Sequence, residues 1–214
     1  MNNGLVSIAV LVSGGGTNLQ ALIDAQNSGI IRSGRIELVI SNVAEAYALT
    51  RAANAGIRTC TVTRREFGGS QELFEKEIIR LLDEAGVDLI VLAGFFAILS
   101  GTFTRKYDKR IINVHPSLIP AFCGKGYYGL RVHEEALARG VKLTGATVHF
   151  VNEIPDGGEI IMQKAVAVEE GDTPEILQKR VMREAEWVIL PAAVERVSAD
   201  LAAEYCRAHG QRAD

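Results

Sequence analysis

The chain has 214 residues, of which 48% are hydrophobic and 23% charged, with a formal net charge of −3. That length supports one sizeable core with at most a small appendage, and the composition excludes a fibrous or largely disordered chain. The acidic balance excludes a broad basic field for DNA or tRNA, but leaves small anions open, because local backbone N–H groups bind a phosphate whatever the global charge.

Leu5 to Val12 reads as a buried strand and Thr17 to Gln26 as a helix. A second strand, Arg35 to Ile40, ends at Ser41-Asn42; a second helix, Ala46 to Ala55, closes at Gly56; Ile57 to Val62 is a third strand. Ser70 to Glu84 has Leu73, Phe74, Ile78, Leu81 and Leu82 at near-helical spacing, predicting a helix with those residues on one face. Val87 to Ala93 and Ile111 to Val114 read as further strands, bridged by a short helical piece after Ser100. This alternation predicts an α/β fold: an open, mostly parallel, doubly wound (Rossmann-like) sheet with helices on both faces.

Pro116 to Gly129 is rich in Gly and Pro and reads as a long loop, followed by a helix over Arg131 to Arg139. Leu143 to Val151 and Glu159 to Val168 read as two strands, which add an antiparallel C-terminal strand to the sheet. Asp172-Thr173-Pro174-Glu175 is a helix start, with a capping side chain and Pro in the first turn. That helix is expected to reach Leu190, with a kink or break at Pro191.

Cys60, Cys123 and Cys206 are scattered and form no CxxC pair, so neither structural zinc nor a disulfide framework is indicated. Met1 to Gly4 lacks a basic segment and leads through one strand into a glycine loop, so it reads as the approach to a core strand, not a signal peptide. No apolar run approaches the roughly 18 residues of a membrane span. A cytoplasmic location and no membrane partner are expected.

Ser13-Gly14-Gly15-Gly16-Thr17-Asn18 joins the first strand to the first helix. Glycines let the backbone approach a ligand, and a helix N-terminus offers free N–H groups, so Gly15, Gly16, Thr17 and Asn18 are a candidate phosphate site. No Gly-Lys-Ser/Thr follows, and Leu19 stands where a dinucleotide fingerprint needs its third glycine. A tight turn without a ligand is the plainer alternative.

Asn113-Val114-His115-Pro116 carries the second constellation. Alternation puts Asn113 and His115 on one side of a strand end, pairing an amide donor with a group that titrates near neutrality. Asp156, in Pro-Asp-Gly-Gly, is a candidate third member, although Asp-Gly alone is an ordinary turn pair. His149, within a strand, reads as structural; for His133, at a helix start beside the loop, surface and lid positions are equally open.

The stretch Asn113-Val114-His115-Pro116-Ser117-Leu118-Ile119-Pro120 resembles the signature of the 10-formyltetrahydrofolate-dependent formyltransferases. Thr144-Gly145-Ala146-Thr147-Val148-His149-Phe150-Val151, followed by Asp156-Gly157-Gly158, resembles a second signature of that family. The segment Val12 to Gln20 is similar to the branch that formylates glycinamide ribonucleotide, and the resemblance runs from about Ser7 to Ala193. It implies a formyltransferase domain at 1–194, with a ribonucleotide-binding half at 1–95 and a folate-binding, catalytic half at 96–194, then a helical tail at 195–214.

The resemblance also implies roles. Asn113, His115 and Asp156 match the catalytic trio, with Asp156 raising the pKa of His115. Gly16, Thr17, Asn18 and Glu186 match the ribonucleotide site, and one extra residue in Arg180 to Glu186 leaves Glu184 as an alternative to Glu186. Phe96, Ala97, Ile98 and Leu99, with Asn113, Asn152, Glu153, Ile154, Pro155 and Asp156, match the folate site. The expected donor is 10-formyltetrahydrofolate, with no metal, no nucleic acid, and a monomer or homodimer as assembly. Departures fall at Ala97 and near Gln71, where the family carries arginines, which leaves Arg64, Arg65 or Lys125 to hold the folate's acidic tail. The loop 116–129, longer than in short family members, lies where a lid is expected. The rivals are a formyltetrahydrofolate hydrolase, a methionyl-tRNA formyltransferase and a non-catalytic phosphate-ligand module.

Overall fold

The computed structural model describes residues 4–210, so residues 1–3 of the N-terminal reading and residues 211–214 of the tail lie outside it. The chain forms two compact units: residues up to Ala97 together with those from Pro191 onward, and Ile98–Leu190.

In the first unit, β1 (Val6–Val12), β2 (Gly34–Ser41), β3 (Arg58–Thr61) and β4 (Leu89–Leu92) pair in parallel in the order β3-β2-β1-β4. Every residue of β1 and β4 is buried, as befits strands of a parallel sheet covered on both faces, and the reason they read as unbroken apolar runs. Helices α1 (Thr17–Asn27), α2 (Tyr47–Asn54) and α3 (Gln71–Glu84) connect these strands. The doubly wound α/β reading therefore holds.

One detail of α3 differs from expectation. Phe74, Ile78, Leu81 and Leu82 are buried, but Leu73 is 49% exposed. Leu73 and Phe74 are adjacent and so point about 100° apart; the inward face takes Phe74. Ser70 caps this helix, its Oγ accepting the Leu73 N–H at 3.3 Å. Ser70→Ala is expected to lower unfolding free energy by about 1 kcal/mol in a urea titration, since the amide loses its side-chain cap.

In the second unit, the short α4 (Gly101–Lys106) precedes β5 (Ile111–His115), and α5 (Arg131–Arg139) follows the long loop. Strand β6 (Leu143–Phe150) runs antiparallel to both β5 and β7 (Ile160–Ala167). The register sets Asn113 opposite His149 and His115 opposite Thr147. Helix α6 (Pro174–Val181) starts at Thr173, whose Oγ1 accepts the Ile176 N–H. Arg180, almost fully buried, donates to Asp172 at 2.5 and 2.6 Å and to the Ala167 carbonyl at 3.1 Å, pinning α6 to the end of β7.

The break expected at Pro191 does not occur: α7 runs Trp187–Gly210 with Pro191 inside it. The irregularity is a π-helical turn at Met182–Glu186 that ends at Trp187, the residue whose carbonyl Pro191 cannot bond. A π turn accommodates one additional residue, which matches the extra residue noted in this stretch.

Candidate active site

The glycine loop belongs to the first unit. Gly16 has φ +71°, and a Cβ there would sit 2.7 Å from Ala48 Cβ and 2.8 Å from Ala48 Cα, so glycine is required for α2 to approach. Ala48 N–H donates to Gly14 O at 3.0 Å, and Arg51 Nε donates to Gly15 O at 2.8 Å, fixing the loop from α2. Ser13 Oγ donates to Asn42 Oδ1 at 2.6 Å and accepts the Phe96 N–H at 2.9 Å. The i→i+4 ladder of α1 begins with Gln20 N–H on Gly16 O, and no side chain caps the helix, so its first turn points N–H groups outward at Gly16, Thr17 and Asn18. Arg51 brings a cation to this loop; it carries no local motif, and only the α1–α2 packing reveals it.

The His and Asp constellation belongs to the second unit. His115 ends β5 and is buried; its Nδ1 lies 3.4 Å from Asp156 Oδ2, and its Nε2 lies 2.8 Å from the Phe122 carbonyl. Asp156 Oδ2 also accepts the Gly124 N–H at 2.8 Å. Both members of the pair are thus tied to the loop 116–129. That loop is itself anchored: Ile119 N–H donates to Thr147 Oγ1 at 3.1 Å, Thr147 Oγ1 donates to Ser117 O at 2.7 Å, and Gln163 donates to Ile119 O at 3.0 Å.

Asp156 adopts φ +56°, a left-handed conformation that Asp tolerates better than most residues. Gly158 follows because a Cβ there would fall 1.7 Å from the Phe150 carbonyl oxygen. The turn folds back on the end of β6, and this close return aims Asp156 at His115.

Asn113 and His149 complete the cluster. Asn113 Nδ2 is 3.3 Å from His149 Nε2, and the same Nε2 is 3.6 Å from Asp156 Oδ1. Asn113, His115 and Asp156, chosen from the sequence, therefore converge around His149. Within its strand His149 reads as structural from sequence alone; the β5–β6 register that sets it opposite Asn113 brings it into the cluster.

Asp156 acts on His115 in the expected direction, but the net shift is the opposite one. Asp156 and the Phe122 carbonyl push the His115 pKa up, but burial outweighs them and, with His149, holds it below the ordinary 6.5. Desolvation of the charged ring is the dominant effect. His133 is also not a surface residue: it is fully buried in the first turn of α5.

The remaining candidates fall as follows. Glu186 is buried and Glu184 exposed, so Glu186 is the inward-facing member of the pair. Phe96 and Ile98 are 63% and 66% exposed, Ala97 is half-buried and Leu99 buried. Asn152 bridges its own turn, accepting the Ile154 N–H at 2.9 Å and donating to Gly157 O at 3.2 Å, while Glu153 pairs with Arg105 at 2.9 Å and Ile154 and Pro155 are exposed. Gln71 donates to Glu75, and Arg64 lies over the Phe74 ring. Among the described residues no cluster of three or more His, Cys, Asp or Glu side chains could hold a metal ion, and no helix is long and apolar enough to cross a membrane.

The chain is similar to known proteins in sequence and in fold. Residues 6–194 match the family described as formyl transferase. The chain is 41% identical over 189 residues to the phosphoribosylglycinamide formyltransferase of Escherichia coli, covering 88% of this chain and 85% of that protein. It is 45% identical to the trifunctional purine biosynthetic protein adenosine-3 of Gallus gallus over 90% of this chain, but spans only 18% of that protein's length. The crystal structure of glycinamide ribonucleotide transformylase 1 from Symbiobacterium toebii superposes with a TM-score of 0.85 at 41% identity, over 93% of this chain and 90% of that one.

Proposed function

We propose, from the premise that this chain belongs to the formyl transferase family, that it transfers the formyl group of 10-formyltetrahydrofolate to the primary amine of glycinamide ribonucleotide, a step of purine synthesis. The observation that carries the reading is the convergence of Asn113, His115 and Asp156, residues separated by up to 43 positions in sequence, within one partly buried cluster.

The amine attacks the formyl carbon, forming a C–N bond and moving a carbonyl electron pair onto oxygen. Asn113 Nδ2 and an N–H of His115 serve as donors to that oxygen, the type of stabilisation worth most in a water-poor site. Collapse of the tetrahedral intermediate breaks the bond to N10 of the folate. One proton leaves the attacking nitrogen and one is delivered to N10; His115, or a water held by Asp156, carries it. Asp156 opposes, in part, the burial that disfavours a charged His115.

His115 Nε2 is occupied by Phe122 O, and Nδ1 faces Asp156. A donor for the substrate oxygen becomes available only when Phe122 withdraws, which supports a lid role for the loop 116–129. Gly15, Gly16, Thr17 and Asn18 serve the phosphate, Glu186 the ribonucleotide, and Phe96 to Leu99 with Asn152 to Asp156 the folate. The protein acts in the cytoplasm, as a monomer or homodimer.

Incubation with 10-formyltetrahydrofolate, with and without glycinamide ribonucleotide, tests the reading. Stoichiometric deformylation only in the presence of the ribonucleotide is expected. Equal deformylation in its absence means a hydrolase, and none under either condition means a binding module; each outcome overturns the proposal.

A further inference from the structure

His149 is buried near the C-terminal end of β6, directly opposite Asn113 on β5, and is not among the residues that react in the scheme above. Its hydrogen-bond geometry places one ring hydrogen. Nδ1 lies 2.8 Å from the Phe150 carbonyl, an obligate acceptor, so Nδ1 carries a hydrogen. In the neutral ring Nε2 is then a bare acceptor. At 3.3 Å from it stands the Asn113 side-chain nitrogen, and at 3.6 Å, beyond hydrogen-bond length, an Asp156 oxygen.

A bare Nε2 decides which way round the Asn113 amide sits. With NH2 toward His149, one N–H is bonded and the lone pair is satisfied. With the amide reversed, two acceptors would face each other in a buried place, at the cost of an unsatisfied polar contact. Asn113 carries two side-chain hydrogens. One goes to His149, which leaves the other in the amide plane at a fixed angle, available to a substrate oxygen.

We infer that His149 is a positioning residue: as a neutral Nδ1–H imidazole it locks the Asn113 carboxamide in the orientation that presents an N–H to the developing oxyanion. This rests on the donor role given to Asn113 under the proposed function. Proton addition at Nε2 would set N–H against N–H and turn the ring to Asp156 instead, so the cluster works with one imidazole, His115, moving protons and the other, His149, holding its own.

The first test uses wild-type protein labelled with 15N-histidine. The His149 signals are expected as a protonated Nδ1 and an unprotonated Nε2 at pH 7.5; a protonated Nε2 overturns the inference. The second is a double-mutant cycle. His149→Phe removes the acceptor and is expected to lower kcat about 10-fold or more with KM changed less than about 2-fold, part of the 10²–10³ that losing an oxyanion donor costs. His149→Gln, which keeps an acceptor near the Nε2 position, is expected to recover most of that loss and serves where the Phe variant does not fold. In an Asn113→Ala background either change is expected to alter kcat by less than about 2-fold. Equal losses with and without Asn113 would show that His149 acts through packing or Asp156 and would sink the inference. Wild-type kcat in Asn113→Ala alone sinks the donor role of Asn113 instead, while the 15N signals still report on His149.

Discussion

Asp156→Asn is expected to lower kcat by about 10²–10³-fold while leaving the KM for glycinamide ribonucleotide within about 3-fold of wild type. The substitution is nearly isosteric, and Asn tolerates the left-handed backbone at φ +56° as well as Asp does, so the turn is kept. What is lost is charge. Burial pushes the Asp156 carboxyl up, but its neighbours, among them the His115 imidazole and the Gly124 amide, outweigh it and hold the pKa below the usual 3.8, so the group is an anion at neutral pH. Without that anion, burial acts on His115 unopposed by its largest counterweight, and less of the ring is protonated when the substrate oxygen needs a donor. His115→Ala is expected to cost a similar factor, and the double variant little more than either single one, because the two residues act as one unit. Wild-type turnover in Asp156→Asn would remove the carboxylate from the mechanism; a loss confined to KM would make it a substrate-binding group.

Much of this was legible along the chain because the determining interactions are local. The apolar run Val6–Val12 declares a strand buried on both faces, and the glycines before Thr17 declare a turn that a side chain would obstruct. Asn113 and His115 declare themselves by alternation. What escaped depends on register or on tertiary packing. His149 acquires its partner only when β6 lies antiparallel to β5 in the observed register, and Arg51 reaches the glycine loop only once α2 packs on α1. Leu73 shows the limit of periodicity: at about 100° per residue it falls outside the arc that Phe74, Ile78, Leu81 and Leu82 share. The net direction of the His115 shift was equally out of reach, since proximity to a carboxylate can be guessed from a motif, whereas the burial that outweighs it belongs to the folded unit.

The second large effect concerns stability and lies at His133. Its ring is fully buried, and neither nitrogen has a hydrogen-bond partner among the described residues. Burial, assisted by repulsion from a charged His115, lowers its pKa from 6.5 to about 4. In the unfolded chain the ring takes up a proton near pH 6.5, while in the folded state it resists until about pH 4. Between those values the unfolded state binds more protons, so folding stability falls as pH falls; above 6.5 the contribution is intact, and below 4 it is fully lost. At about 1.4 kcal/mol per unit, the shift amounts to roughly 3 kcal/mol, about 2 of which is lost by pH 5. Urea denaturation of wild type and His133→Leu at pH 7.5, 6.5, 5.5 and 5 isolates this contribution, since the other titrating groups are common to both proteins. The Leu variant is expected to match or exceed wild-type stability at pH 7.5, because a buried ring without partners costs about 1–3 kcal/mol. Its advantage is then expected to widen by about 2 kcal/mol on going to pH 5. Parallel pH profiles for the two proteins would show that the His133 ring finds a proton-accepting or proton-donating partner in solution, and that its burial does not drive the acid sensitivity.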